Sequence, residues 1–333
     1  MYEKFFGLDR NPFAMTPDPS CHFQSESHKE AFAGITYGIA QRRGFMTLVG
    51  EVGTGKTTLI NSILHSLDKS TVTILVRHTT VDREELLRII LHNLYAGLSH
   101  RKTANRRRGD GGGSVDSRIA GLSRIELINE FYAFVTGEFL SDQPPPLLII
   151  DEAQNLTVDV LEEVRLLTNL EDPKAKMLQV LLAGQPELEE KLLRSDLRQL
   201  RQRIAVSARL EPFSLGETAD YIAYRLECVG CTSPGLFSRV AVEAIWSASK
   251  GSPRTINVLC DHALVNAFAN GRREVEGTAA REAIQDVLFL QLRDRSVRKP
   301  GPYLVTHLED RDSGNHEEDP DNKGGGERSH RVG

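Results

Sequence analysis

The sequence has no run of ~18 consecutive apolar residues, so no membrane-spanning helix is expected. Its start, Met1-Tyr2-Glu3-Lys4-Phe5-Phe6, leads into Asp9, Arg10 and prolines, which is not the pattern of a secretory leader. Residence in the cytoplasm is the expectation. Cysteine is scarce, with 4 in 333 residues, a usage that fits a reducing compartment. Cys228 and Cys231 form a C-x-x-C, but no second C-x-x-C or H-x-x-H exists to complete a zinc site. The pair reads as a chance spacing where a helix runs into Gly230. An overall basic excess is also missing. The formal net charge is −5, which gives no global case for nucleic-acid binding. No Asn-Lys-x-Asp is found, since Asn322-Lys323 continues into glycines, so guanine specificity is not supported. No internal repeat is apparent.

What remains is the composition of an ordinary globular protein, 40% hydrophobic and 26% charged. The length allows a sizeable core in two packed units with appendages. Apolar, β-rich runs alternate with helical patterns, which predicts a parallel sheet with crossover helices. The strands expected are Phe45 to Val49, Val72 to Val76, Leu147 to Asp151, Val180 to Ala183 and Ile204 to Leu210. Asp82 is placed to N-cap a helix through Leu86, Ile90 and Leu94. From Ser214 the texture turns helical. Ser214-Leu215-Gly216-Glu217 is a capping box, and further helices are expected at residues 238–250, 254–270 and 278–292. The division expected is an α/β domain over 1–213, which carries the loop described below, a small helical domain over 214–295 and a disordered acidic, Gly-rich tail over 296–333. Residues 101–118 are basic and Gly-rich, and read as a flexible surface insertion. They lack aromatics for base stacking, so a solvated loop is favoured over a contact to DNA or lipid.

Between the first strand and the helix after it stands Gly50-Glu51-Val52-Gly53-Thr54-Gly55-Lys56-Thr57, with Thr58 beyond. A glycine-rich loop in that setting lets backbone N–H groups cradle phosphate oxygens. Lys56 supplies a point charge to the phosphates, and the Thr57 hydroxyl is placed to ligate Mg²⁺. The partner is Leu147-Leu148-Ile149-Ile150-Asp151-Glu152, a buried strand that delivers two carboxylates. Asp151 is expected to hold Mg²⁺ through its water shell. Glu152 is expected to polarise the attacking water. ATP is the expected nucleotide. A kinase also uses such a loop, but the Asp-Glu strand end and the helical second domain favour hydrolysis. Gln185, at the end of the fourth strand, is a candidate to orient water or sense the γ-phosphate. Arg194, Arg198, Arg201 and Arg203 crowd a helix leading into the fifth strand, and Arg203 is the choice for an arginine reaching a neighbouring subunit's phosphate. Such a group contributes roughly 10³–10⁵ in rate. Arg254, after Gly251-Ser252-Pro253, is placed to fold onto the phosphates.

These residues together resemble the AAA+ ATPases of the ExeA/GspA type, over roughly residues 1–292. The family-specific parts are Phe5-Phe6-Gly7-Leu8, Asn11-Pro12-Phe13, Thr16-Pro17-Asp18-Pro19, His28 and Leu182-Ala183-Gly184-Gln185-Pro186-Glu187-Leu188. Asp151-Glu152-Ala153-Gln154-Asn155-Leu156, Gln202-Arg203-Ile204 and Gly251-Ser252-Pro253-Arg254-Thr255-Ile256-Asn257 add to it. The resemblance implies a P-loop NTPase fold of AAA+ type, a five-stranded parallel sheet flanked by helices with a small all-helical lid. It implies a homo-oligomeric ring or arc, with Gln185 as sensor 1, Arg203 as the candidate finger and Arg254 as sensor 2. It also implies that the Pro12-Phe13 segment packs on the adenine. Partners implied are secretion, exopolysaccharide or cell-envelope machinery, reached from the cytoplasm at the inner membrane. The alternative is a DNA-associated regulator of the transposition-helper type. The secretion ATPases of the family continue into a membrane helix and a periplasmic domain, and neither is expected from this sequence. The basic insertion is a further departure.

Overall fold

The computed structural model describes residues 1–15, 21, 23–68, 70–77, 79–103, 119–138, 144–169, 171–172, 175–176, 178–231, 233 and 235–297. The basic stretch beyond residue 103 and the tail beyond residue 297 lie outside the described residues.

Five strands form one parallel sheet: β1 (Phe45–Gly50), β2 (Thr73–Val76), β3 (Leu147–Ile150), β4 (Gln179–Gly184) and β5 (Ile204–Leu210), in the order 2-3-4-1-5. The inner strands β1, β3 and β4 are buried along their whole length. That burial is why they read as unbroken apolar runs rather than as alternating ones. The period of two still sorts their side chains. Phe45, Val49, Leu148, Ile150, Val180 and Leu182 enter the core on one face. Met46, Leu48, Leu147, Ile149, Leu181 and Ala183 enter the core on the other.

Helices α2 (Glu26–Ala40) and α3 (Lys56–Ser66) belong to the second of these cores; α4 (Arg83–Thr103), α5 (Arg124–Glu138) and α6 (Val158–Leu167) belong to the first. Asp82 caps α4 as expected: Glu85 N–H donates to its carboxylate at 2.8 Å and Asp82 N–H to Glu85 at 2.9 Å. After β4 come α7 (Pro186–Leu192), a 3₁₀ turn (Ser195–Leu197) and the short α8 (Arg198–Arg201). The arginine run therefore does not ride on one helix. Arg194 precedes the turn and Arg203 follows α8.

The remaining helices are α9 (Leu215–Glu227), α10 (Arg239–Ser249), α11 (Pro253–Ala269) and α12 (Gly277–Val297). The capping box at Ser214 and Glu217 is present. These helices share their core with the start of the chain. Tyr2 and Phe6 of α1 (Tyr2–Phe6), with Leu8 and Phe13, pack among Ile222, Leu226, Phe237 and Ile256. Each such fully buried side chain is worth ~1.5–3 kcal/mol in transfer free energy. Phe13 is 1% exposed, its ring set edge-on to Phe237 at 5.8 Å. That ring is committed to this core, so the expectation that it packs on the adenine is corrected. Met1–Leu290 form one compact unit.

Two of the four cysteines are not reduced thiols. Cys228 is bonded to Cys21, not to its near neighbour Cys231.

Candidate nucleotide site

In the sheet order β4 lies between β1 and β3, and the register sets Val49 beside Gly184 and Ile150 beside Leu182. The loops after β1, β3 and β4 therefore leave the same end of the sheet, where parallel α/β folds bind ligands.

Residues 50–57 turn from β1 into α3. Gly53 and Gly55 have φ of 82° and 98°, a region glycine enters without steric cost. Both positions are also crowded. A Cβ at Gly55 would lie 2.9 Å from His28 Nε2, and one at Gly53 2.8 Å from Arg254 Cβ. The loop is thus held from behind by α2 and from the side by α11. Ser25 N-caps α2, and its hydroxyl lies 2.7 Å from His28 Nδ1 while His28 Nε2 meets the Thr54 carbonyl at 3.0 Å. His28 therefore buttresses the loop backbone. Ahead of the loop stands the positive end of α3 with its unpaired first-turn N–H groups.

Lys56 is buried, and its ammonium donates to the carbonyls of Gly50 at 2.7 Å and Glu51 at 3.0 Å. Burial pushes its pKa down, against the upward pull of Glu152, Asp151, Glu51 and Glu187.

The Thr57 hydroxyl donates to Asp151 Oδ2 at 2.9 Å. Asp151 is buried, and its Oδ1 accepts from Glu152 N–H at 3.0 Å. A hydroxyl and a carboxylate oxygen brought together beside a phosphate loop form a hard-oxygen pair, which fits a Mg²⁺ that keeps most of its waters.

Glu152 has φ 55°, a left-handed backbone that costs a non-glycine residue about 1 kcal/mol or more. It is over-determined from two sides. A 3₁₀ turn begins at Ala153, and Glu152 Oε2 accepts from Gln154 Nε2 at 2.6 Å and Gln185 Nε2 at 3.0 Å. Gln154 Oε1 in turn accepts from Gln185 N–H at 3.2 Å. Burial raises the Glu152 pKa, but these two amides and the Lys56 charge outweigh it and hold the carboxyl below its ordinary range.

Arg254 sits in the first turn of α11. Its N–H approaches the Gly53 carbonyl at 3.4 Å, and the Ser252 hydroxyl the Val52 carbonyl at the same distance. With Val52, Gly53, Thr54, Gly55, Lys56, Thr57, Thr58 and Glu152, Arg254 lines a cavity of about 470 Å³, a size in the range of small-molecule sites. Other walls come from Ala14, Met15, Cys21 and Phe23, and from Tyr221, Arg225 and Asn257. Arg203 is exposed and not among the lining residues. A larger cavity, about 970 Å³, lies between α9 and α10 and includes none of the phosphate-loop residues.

The structure thus brings together Gly50 to Thr58, Asp151, Glu152, Gln185 and Arg254, and leaves Arg203 apart. Sequence reasoning assigned no role to His28, Gln154 or Arg225. His28 and Arg225 meet partners 26 and 213 residues away, and Gln154 joins Glu152 beside it to Gln185, 31 residues on; no local pattern announces the distant contacts.

Residues 39–192 match the family model described as an AAA domain. The chain is 37% identical over 275 residues, 83% of its length, to general secretion pathway protein A of Aeromonas hydrophila, of which it spans 46%. Among solved structures, it is similar in fold to Cdc6p from Pyrobaculum aerophilum (TM-score 0.59, 16% identity, 84% of this chain and 71% of that one). It is likewise similar to the ORC2 protein of Aeropyrum pernix (0.57, 17%, 83% and 71%) and to a Walker-type ATPase of Pyrococcus abyssi (0.56, 18%, 86% and 81%). The chain is a P-loop ATPase of the AAA+ class. Within that class it is similar, over the part the two share, to general secretion pathway protein A.

Proposed function

We propose that the chain binds Mg-ATP in the 470 Å³ cavity, hydrolyses it, and uses the change to power or regulate assembly of a secretion, exopolysaccharide or other cell-envelope system. The observation that carries the chemistry is the convergence of Thr57, Asp151 and Glu152 at the mouth of the phosphate loop. Loop N–H groups and Lys56 hold the phosphates. Thr57 and Asp151 would hold Mg²⁺, which when bound neutralises charge on the phosphate oxygens. Glu152, ionised and gripped by two amides, accepts a proton from the water that attacks the γ-phosphorus. Gln185 fixes the Glu152 carboxylate and senses the γ-phosphate. Arg254 carries nucleotide state into a lid of residues 214–295, which moves against residues 1–213. The secretion assignment rests on the relative's name and on 37% identity over the shared part. A place at the inner membrane through protein partners is part of the same proposal; no described helix is long and apolar enough to cross a membrane.

Turnover measured against protein concentration, with and without duplex DNA, tests the process. Turnover that rises with concentration and ignores DNA is expected. Stimulation by DNA that fades as salt rises would instead support a DNA-associated regulator.

The exposed Arg203 is proposed to complete the site of a neighbouring copy. Arg203→Ala should lose most turnover alone, by roughly 10³ where such arginines act. Mixing it with Lys56→Ala should recover part of the activity, because one shared interface then keeps both residues. No recovery at any mixing ratio would remove Arg203 from that role.

A further inference from the structure

The start of the chain reaches the nucleotide cavity by two attachments to one helix. Arg225 of α9 donates to the Pro12 carbonyl at 2.6 Å and to the Ala14 carbonyl at 3.5 Å. Three residues on, Cys228 caps α9 and is bonded to Cys21, their Cα atoms 5.9 Å apart. Cys21 is itself a wall of the cavity, as is Phe23, whose ring lies edge-on to Phe213 at 5.5 Å and Tyr221 at 5.6 Å. The bond therefore ties the N-terminal wall of the cavity to the helix opposite, across 207 residues of sequence.

We propose that Cys21 and Cys228 are a reversible thiol-oxidation site, and that their disulfide slows release of bound nucleotide. This rests on the cavity being the nucleotide site. Disulfides in reducing compartments are characteristically transient and redox-sensing, and a pair that joins a pocket wall to a lid helix has something to regulate. In the dithiol form, nucleotide must hold Cys21 and Phe23 against α9 at its own expense. In the disulfide form that wall is preformed, and binding is correspondingly tighter.

The oxidant is a low-molecular-weight disulfide. Cys228 is the more exposed of the two. Its thiolate attacks one sulfur of that disulfide, forms a mixed disulfide and expels one small thiolate. The Cys21 thiolate then attacks the Cys228 sulfur and expels the second. Two protein thiols are oxidised, one small disulfide is reduced to two thiols, and the two protons pass to the departing thiolates. A dithiol reductant reverses the sequence.

Coupling of this kind is reciprocal. If oxidation tightens nucleotide binding about tenfold, bound nucleotide must favour the disulfide by the same factor of about ten. The test equilibrates the full-length chain in glutathione buffers of graded ratio, with and without a fluorescent ATP analogue. Intact mass reads the loss of two hydrogens, and stopped-flow reads analogue release. We expect the analogue to bind about tenfold more tightly to the oxidised form, with slower release, and the redox midpoint to shift by that same equilibrium factor with analogue present. Cys228→Ser, which lies outside the cavity lining, should release at the rate of the dithiol form whatever the buffer, while Cys231→Ser keeps the response. Absence of the disulfide at every ratio, or equal release from both forms, overturns the inference alone. Failure of both forms to bind the analogue overturns it together with the nucleotide reading.

Discussion

Lys56→Ala is expected to abolish turnover and to weaken ATP binding by at least tenfold. The ammonium is placed inside the loop backbone, on the Gly50 and Glu51 carbonyls. It is kept there although burial depresses its pKa. A hydrogen bond to a charged group contributes about 1.5–3 kcal/mol, which is the source of the binding loss. Removing a donor aimed at charge that develops in the transition state costs about 10²–10³ in turnover, and the binding loss adds to it. The fold should survive. The loop shape is set by Gly53 and Gly55 and by the His28 contact with Thr54, none of which involves the ammonium. The carbonyls left behind lose a partner, so stability falls by about 1–3 kcal/mol at most. Lys56→Met, which keeps the apolar stem, separates the lost charge from lost packing. Titration with a fluorescent ATP analogue, phosphate release and thermal unfolding together read all three effects. Wild-type turnover in either variant would sink the assignment of the loop.

Much of this site was legible in the sequence because its residues are local to strand ends. A glycine loop between a buried strand and a helix, and two carboxylates after Ile150, carry their geometry with them. The strands were legible for the same reason: parallel strands buried on both faces are short unbroken apolar runs. Several helices gave no such notice. In α1, a helix of only five residues, Tyr2 and Phe6 pack on distant partners, and α2 shows its apolar stripe at Ala31, Ile35 and Ile39 only once its core is known. The fate of Phe13 was not legible, since nothing nearby says that its ring belongs with Phe237, 224 residues on. The pairing of Cys228 was hidden in the same way. The close C-x-x-C spacing drew the eye to Cys231, while the bond runs to Cys21 at the other end of the chain. Contacts between distant segments are chosen by tertiary packing, and a single sequence holds no local trace of them.

Glu152→Gln should separate binding from hydrolysis. Turnover is expected to fall by about 10²–10⁴, the contribution of a positioned general base. Binding should persist or tighten, because the substitution removes a negative charge from beside the phosphates. The local structure has reason to survive. Both amide bonds land on one oxygen, Oε2, and a glutamine can set its carbonyl oxygen there and keep them. The wild-type pH profile carries a matching signature. The Glu152 pKa is lowered overall, with burial opposing and the Gln154 and Gln185 amides and Lys56 prevailing. A depressed carboxyl stays ionised as pH falls to the ordinary glutamate value, so turnover should hold through that point and decline only below it. By the same sign, whatever stability this carboxylate adds is present above the unfolded pKa and lost as pH falls through the folded one. Gln185→Ala removes one of the two donors and should move the acid limb upward. Analogue titration and phosphate release across pH measure each outcome. Loss of ATP binding in Glu152→Gln would make the residue structural, and retained turnover would put the base elsewhere.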